Sequence, residues 1–156
     1  MRARFCGRPV RVTCTCLPLT QRGRKLSATT RAREGCSLLR VISFDIDGTL
    51  EVGDPPGTIS VEVVRRALAL GFVAGSCSDR PISFQQALWA EHGVDVHFTV
   101  LKQHLTSVRE RFAADHYLHI GDSPIDRMMA EGAGFDFVHV LEDDLLNALG
   151  TLNLHG

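Results

Sequence analysis

Two aspartates separated by a single residue, Asp45 and Asp47, follow a run of mostly apolar residues, Val41-Ile42-Ser43-Phe44. The run fits a short buried strand. Asp45 then falls where that strand should end, and Gly48 opens the turn. Two carboxylates at the mouth of a buried strand are costly unless something compensates them. A divalent cation is the usual compensation, and a cation beside a carboxylate is what phosphoryl chemistry needs. The spacing suits a division of labour. One carboxylate attacks phosphorus and holds the metal, while the other gives a proton to the leaving oxygen and later activates water. The plain alternative is a strand followed by an Asp-Gly turn.

The stretch Phe44-Asp45-Ile46-Asp47-Gly48-Thr49-Leu50 resembles the first motif of the haloacid dehalogenase (HAD) superfamily of phosphohydrolases. That family carries three further short motifs in a fixed order, and this chain offers a match to each. For the second, Ser78-Asp79-Arg80-Pro81 follows the strand-like residues 72–76. A hydroxyl and the backbone N–H groups of such a turn can hold a phosphate oxygen. Ser76, inside the strand, is the competing serine, and the plain role for Ser78 is a helix N-cap. The third is Lys102, the only lysine from residue 41 onward. Its compact ammonium suits a bridge between a nucleophilic carboxylate and a bound phosphate. The Lys-Pro pair often seen in the family is missing, since Gln103 follows. For the fourth, Gly121-Asp122 closes the strand-like Tyr117–Ile120, with Asp126 four residues on. Pro124 favours a first helical turn, so Asp122 falls in the loop and Asp126 just inside the helix. Asp122 is expected as a direct metal ligand, with Asp126 acting through water or a hydrogen bond.

The resemblance spans roughly residues 41–140. It implies an α/β fold, a Rossmann-like three-layer sandwich around a central parallel sheet, and a Mg²⁺-dependent enzyme. Asp45 is then the nucleophile that becomes an aspartyl-phosphate and Asp47 the general acid/base. Ser78 and Lys102 bind phosphate, and the metal is held by Asp45, Asp122 and the backbone carbonyl of Asp47. The acid at Asp47 argues for phosphate chemistry over the carbon–halogen branch, which lacks it. The expected reaction is hydrolysis of a phosphate monoester, small or large, with a homo-oligomer left open. Two other functions stay in view. One is a non-catalytic module that binds a phospholigand or a partner; the other is a phosphatase for nucleic-acid ends.

These residues need a scaffold that brings strand ends together. Strands are expected near 41–45, 72–76, 96–100, 117–120 and 136–140, with helices near 60–70, 81–92, 102–114 and 124–132. Such alternation predicts a parallel sheet covered on both faces, with every strand C-terminus on one edge. Val61, Val64, Ala67 and Leu68 form one apolar face of the first helix, with Arg65 and Arg66 off it. Gly71 and Gly93 are expected to close the first two helices. Trp89, Phe84 and Leu88 read as helix-to-sheet packing, Cys77 as a small core residue, and His104 and His119 as structural or solvated residues near the site. The segments Leu50 to Gly71 and Pro81 to Leu101 are too short for an inserted cap domain. The turn-rich stretch Val52-Gly53-Asp54-Pro55-Pro56-Gly57 is either a stiff turn or a partial cover for an open site.

The chain has 156 residues, enough for one domain with a substantial core. Its net charge of -1 conceals an asymmetry. Residues 1–40 hold ten Lys/Arg against one acid, and residues 41–156 hold seven against seventeen. The acidic domain speaks against general nucleic-acid affinity. Residues 1–40 are expected to be a disordered basic extension preceding a catalytic domain at 41–156. They read as a transit segment, a basic arm, or sequence upstream of a true start near Leu39. Their cysteines, Cys6, Cys14, Cys16 and Cys36, lack the paired spacing of a zinc site. No apolar stretch there suits a membrane span or a secretory core. The expected location is cytoplasmic, with organelle import as the alternative if the extension is a transit segment.

Overall fold

Five short apolar segments become strands, and the longer amphipathic segments between them become helices. The computed structural model describes residues 38–141 together with Ala148 and Gly150. The expected basic extension lies outside the described residues up to residue 37. Strand β1 is Arg40–Phe44, followed by α1 (Val61–Ala69), β2 (Val73–Ser78), α2 (Ile82–Glu91) and β3 (Phe98–Leu101). A 3-10 turn at Lys102–His104 leads into α3 (Leu105–Arg111), then β4 (His116–Gly121), α4 (Pro124–Ala133) and β5 (Asp136–His139).

The strands form one parallel sheet in the order β3-β2-β1-β4-β5. The chain moves outward from β1 on one side through β2 and β3, and on the other side through β4 and β5. The point where the order reverses lies between β1 and β4, and parallel α/β sheets leave a crevice there, beyond the strand C-termini. Phe44 is in register with Ser76 of β2 and Ile120 of β4. Asp45 and Asp122 therefore leave adjacent strands at nearly the same height.

Alternate residues of the central strands feed two separate apolar clusters, as the period of two requires. Ile42, Phe44, Ala74 and Ile120 pack with Val61, Val64 and Ala67 of α1 and with Leu88 and Trp89 of α2. Val41, Val73, Cys77 and Tyr117 pack with Leu105 and Val108 of α3 and with Ala130 and Ala133 of α4. Helices thus cover both faces. Gly71 and Gly93 follow α1 and α2 with positive φ, 83° and 61°, where an L side chain would be strained. Among the described residues, no helix is long and apolar enough to cross a membrane.

Three expectations need correction. Strand β2 continues to Ser78, because its whole length is buried between β1 and β3. Ser78 is therefore the last strand residue and not part of the turn. The segment expected as one helix over 102–114 is a 3-10 turn followed by a helix ending at Arg111, and the tighter turn carries the buried Lys102. Phe84 does not join Leu88 and Trp89 in the buried core. It is exposed, with the Arg80 guanidinium 5.0 Å from its ring centre.

Candidate functional site

At the C-terminal edge of the sheet, Asp45, Asp47, Pro55, Ser78, Asp79, Lys102, Asp122, Ser123 and Ile125 line a cleft of about 290 Å³. The strands position the first members. Asp45 follows β1 and is anchored by its N–H, which donates to the Ile120 carbonyl at 2.9 Å. Its side chain is almost wholly buried. Burial, then the neighbouring Asp126, pushes the Asp45 carboxyl up to about 6; Lys102 and the Ile46 N–H pull the other way. Asp45 Oδ2 lies 3.3 Å from Lys102 Nζ, while Oδ1 is buried without a hydrogen-bond partner.

Lys102 stands among three carboxylates: Asp126 Oδ1 at 2.8 Å, Asp45 Oδ2 at 3.3 Å and Asp79 Oδ2 at 3.4 Å. Burial opposes its charge, but these partners outweigh burial and hold the ammonium well above the usual lysine range. Asp126 is fully buried at the first turn of α4 and forms a capping box with Ser123. Its Oδ2 accepts from the Ser123 hydroxyl at 2.6 Å and the Ser123 N–H at 3.1 Å. Its Oδ1 faces Lys102 as an ion pair without hydrogen-bond angles, and lies 3.6 Å from His119 Nε2. Burial pushes the Asp126 carboxyl up, but His119, Lys102 and Ser123 outweigh it and keep it below the ordinary carboxylate range. The His119 ring is itself buried, with Nδ1 3.1 Å from Ser43 Oγ on the adjoining strand.

One carboxylate oxygen from each of Asp45, Asp122 and Asp126 lies within 4.8 Å of the other two. Hard, oxygen-only donors of this kind suit a divalent cation. Asp126 already has both oxygens engaged, so Asp45 Oδ1 and the Asp122 carboxylate are the donors best placed to take one. Gly48, at φ 72°, runs directly beside Asp122; a Cβ there would collide with the Asp122 carboxylate. The cleft lining holds four carboxylates against one ammonium. An anionic ligand would meet net repulsion there unless a cation accompanied it.

Ser78 is buried at the cleft, and its Oγ accepts the Arg80 N–H at 3.3 Å. Ser76, the competing serine, is tied up inside the core. Its hydroxyl donates to Gln85 Oε1 at 2.7 Å and accepts from Trp89 Nε1 at 3.0 Å. Asp47 is the residue whose setting the sequence did not foretell. Arg80 grips it with two contacts, Nε to Oδ2 at 2.6 Å and Nη2 to Oδ1 at 3.2 Å. The Asp54 N–H also donates to Asp47 Oδ1 at 2.8 Å, and Arg80 Nη2 donates to the Asp54 carbonyl at 3.1 Å. The turn-rich stretch is thus fastened to the site, and Pro55 forms part of the cleft wall.

The structure brings Asp45, Asp47, Ser78, Lys102 and Asp122 to one cleft, with Asp126 directly behind Lys102. Sequence reasoning missed Arg80, Asp79 and Asp54 as contributors, and it gave His119 no part in holding Asp126. Cys77 is a buried core thiol, pushed upward chiefly by burial. His104 is exposed on the 3-10 turn. No family model, curated protein or solved structure matches this chain in comparison.

Proposed function

We propose that this protein is a HAD-like, Mg²⁺-dependent phosphatase that hydrolyses a phosphate monoester through Asp45. The observation that carries the reading is Asp45 itself. It is a buried carboxylate with one oxygen free of any hydrogen bond, in a cleft that also presents a serine hydroxyl, an ammonium and a second metal-capable carboxylate. Unlike Asp126 Oδ1, which faces the Lys102 ammonium at 2.8 Å, this oxygen of Asp45 has neither a hydrogen bond nor an ion pair, and a bound cation would satisfy it.

In this mechanism Lys102 and the Ser78 hydroxyl hold the non-bridging phosphate oxygens and orient phosphorus toward Asp45. An Asp45 oxygen attacks phosphorus, the bond to the ester oxygen breaks, and Asp47 supplies the proton that the departing alcohol requires. Asp47, now ionised, takes a proton from water as that water attacks phosphorus. Inorganic phosphate leaves and Asp45 is regenerated. Mg²⁺, held by Asp45, Asp122 and the Asp47 carbonyl, would offset the charge of the phosphate and of the acidic lining. Asp126 keeps Lys102 charged and in place.

One observation favours a second reading, a phospholigand-binding module: Arg80 occupies the carboxylate that should donate the proton. A single experiment separates the two. The full chain is incubated with a broad panel of phosphomonoesters, with Mg²⁺, with EDTA, and with Mg²⁺ restored. Phosphate release that disappears with EDTA and returns with Mg²⁺ is the expected result. A folded protein that binds Mg²⁺ yet releases no phosphate from any panel member would favour the binding module.

A further inference from the structure

We infer that the substrate carries a carboxylate beside its phosphate, and that Arg80 recognises it by exchanging Asp47 for the substrate's own carboxylate. This rests on the phosphate-monoester reading and adds the substrate class to it.

The Arg80 guanidinium already holds a carboxylate in the two-point geometry that arginine offers and lysine does not. That carboxylate is Asp47, and its placement conflicts with its task. Oδ2 accepts from Arg80, and Oδ1 accepts from both Arg80 and the Asp54 N–H. With both oxygens engaged as acceptors, Asp47 must be released before it can serve a leaving oxygen in the cleft.

Arg80 is built to remain when Asp47 leaves. Its backbone N–H is fixed to Ser78 Oγ, its Nη2 donates to the Asp54 carbonyl, and the Phe84 ring lies beneath its guanidinium. Its side chain and that of Asp47 are 33% and 29% exposed, so the pair sits at the mouth, where an entering ligand reaches it. A partly exposed ion pair is a weak tie, so an entering carboxylate can displace Asp47 from Arg80. Lys102 is not comparably free, being buried among three carboxylates. Asp45, Asp47 and Ser78 line the same cleft, and Arg80 is bonded to both Asp47 and Ser78. A phosphate held by Asp45 and Ser78 thus has the clasp beside it. A carboxylate there replaces Asp47 like for like, and the freed Asp47 takes up a proton from solvent that it can then give to the departing oxygen.

The test uses two probes that resist hydrolysis, phosphonoacetate and ethylphosphonate, titrated calorimetrically into the full chain with Mg²⁺ present. Phosphonoacetate is expected to bind about tenfold more tightly or better, as a charge-assisted two-point contact warrants. In Arg80→Ala the two probes should bind within about twofold of each other, and Arg80→Lys should fall between. Asp47→Asn removes the resident competitor, so phosphonoacetate should gain several-fold more affinity than ethylphosphonate gains, a difference that loss of a negative charge alone would not produce. Equal binding of both probes to the unaltered protein would overturn the carboxylate inference alone. So would discrimination that survives in Arg80→Ala, or an Asp47→Asn variant in which phosphonoacetate gains no more than ethylphosphonate. Failure of both probes to bind would overturn the phosphate reading with it.

Discussion

Asp45→Asn is expected to abolish turnover while making the metal-free protein more stable. The rate should fall by at least about a thousandfold, because the amide cannot attack phosphorus and no neighbouring group substitutes for it. The stability gain follows from burial. The Asp45 carboxyl is raised from 3.8 to about 6, chiefly by desolvation and then by Asp126. The folded protein therefore holds a proton here that the unfolded chain releases between about pH 4 and pH 6. Stability must fall as pH rises through that window and stay lowered above it. The penalty at neutral pH is on the order of 3 kcal/mol. Asp45→Asn removes it, so thermal melting without metal should rise by about 5 °C or more at pH 7 to 8. The gain should fade as pH falls through this window and vanish at about pH 3, where Asp45 is protonated in both states. Added Mg²⁺ should stabilise the unaltered protein and lose most of that effect in the variant. Thermal melts across pH, with and without Mg²⁺, check each part. A variant that melts lower than the parent at pH 8 would contradict the desolvation account.

Lys102→Met should have the largest effect on stability. The ammonium is buried and separates two buried carboxylates, Asp45 and Asp126, whose oxygens approach within 4.8 Å. Removing it leaves two like charges facing each other out of water. Breaking a buried ion pair from one side costs about 3–5 kcal/mol, a large share of a small domain's stability. With the cation gone both carboxylates favour their protonated forms, so the loss should shrink as pH falls from 7 to 5. Urea denaturation at the two pH values measures this directly. Asp126→Asn provides a milder control, because Lys102 keeps Asp45 and Asp79. It should lose less stability and still weaken phosphate binding, since the lysine loses its nearest anchor. Equal stability of Lys102→Met and the parent at pH 7 would mean that the ammonium is not the charge holding this site together.

The strand ends were legible because of abrupt contrast. Val41 to Phe44 is largely apolar and Asp45 is not, and the same break separates Ile120 from Asp122. Once alternation of strands and helices implies a parallel sheet, those breaks share one edge. The boundary at Ser78 was misplaced because buried serine and cysteine in β2 blur the contrast that marked the other ends. Lys102 was legible from motif order alone; its three partners lie far apart in the chain. The Arg80–Asp47 clasp was not legible, since thirty-three residues separate its members and only the packing of β1 beside β2 brings them together. Asp126 was expected to support the metal. Its actual partners, Lys102, Ser123 and His119, depend on the depth of α4 and on the register that pairs Ser43 with His119, neither of which periodicity encodes.

The central claim is that Asp45 is the nucleophile, and chemical trapping of the phosphoryl intermediate tests it most directly. Protein quenched during turnover with Mg²⁺ and a hydrolysed phosphomonoester is treated with borohydride, which reduces an aspartyl-phosphate to homoserine. Peptide mass spectrometry then locates the change. Homoserine at position 45, dependent on both substrate and Mg²⁺, is the predicted result. Phosphate release with position 45 unmodified, or homoserine at Asp47 or Asp122 instead, would contradict the account.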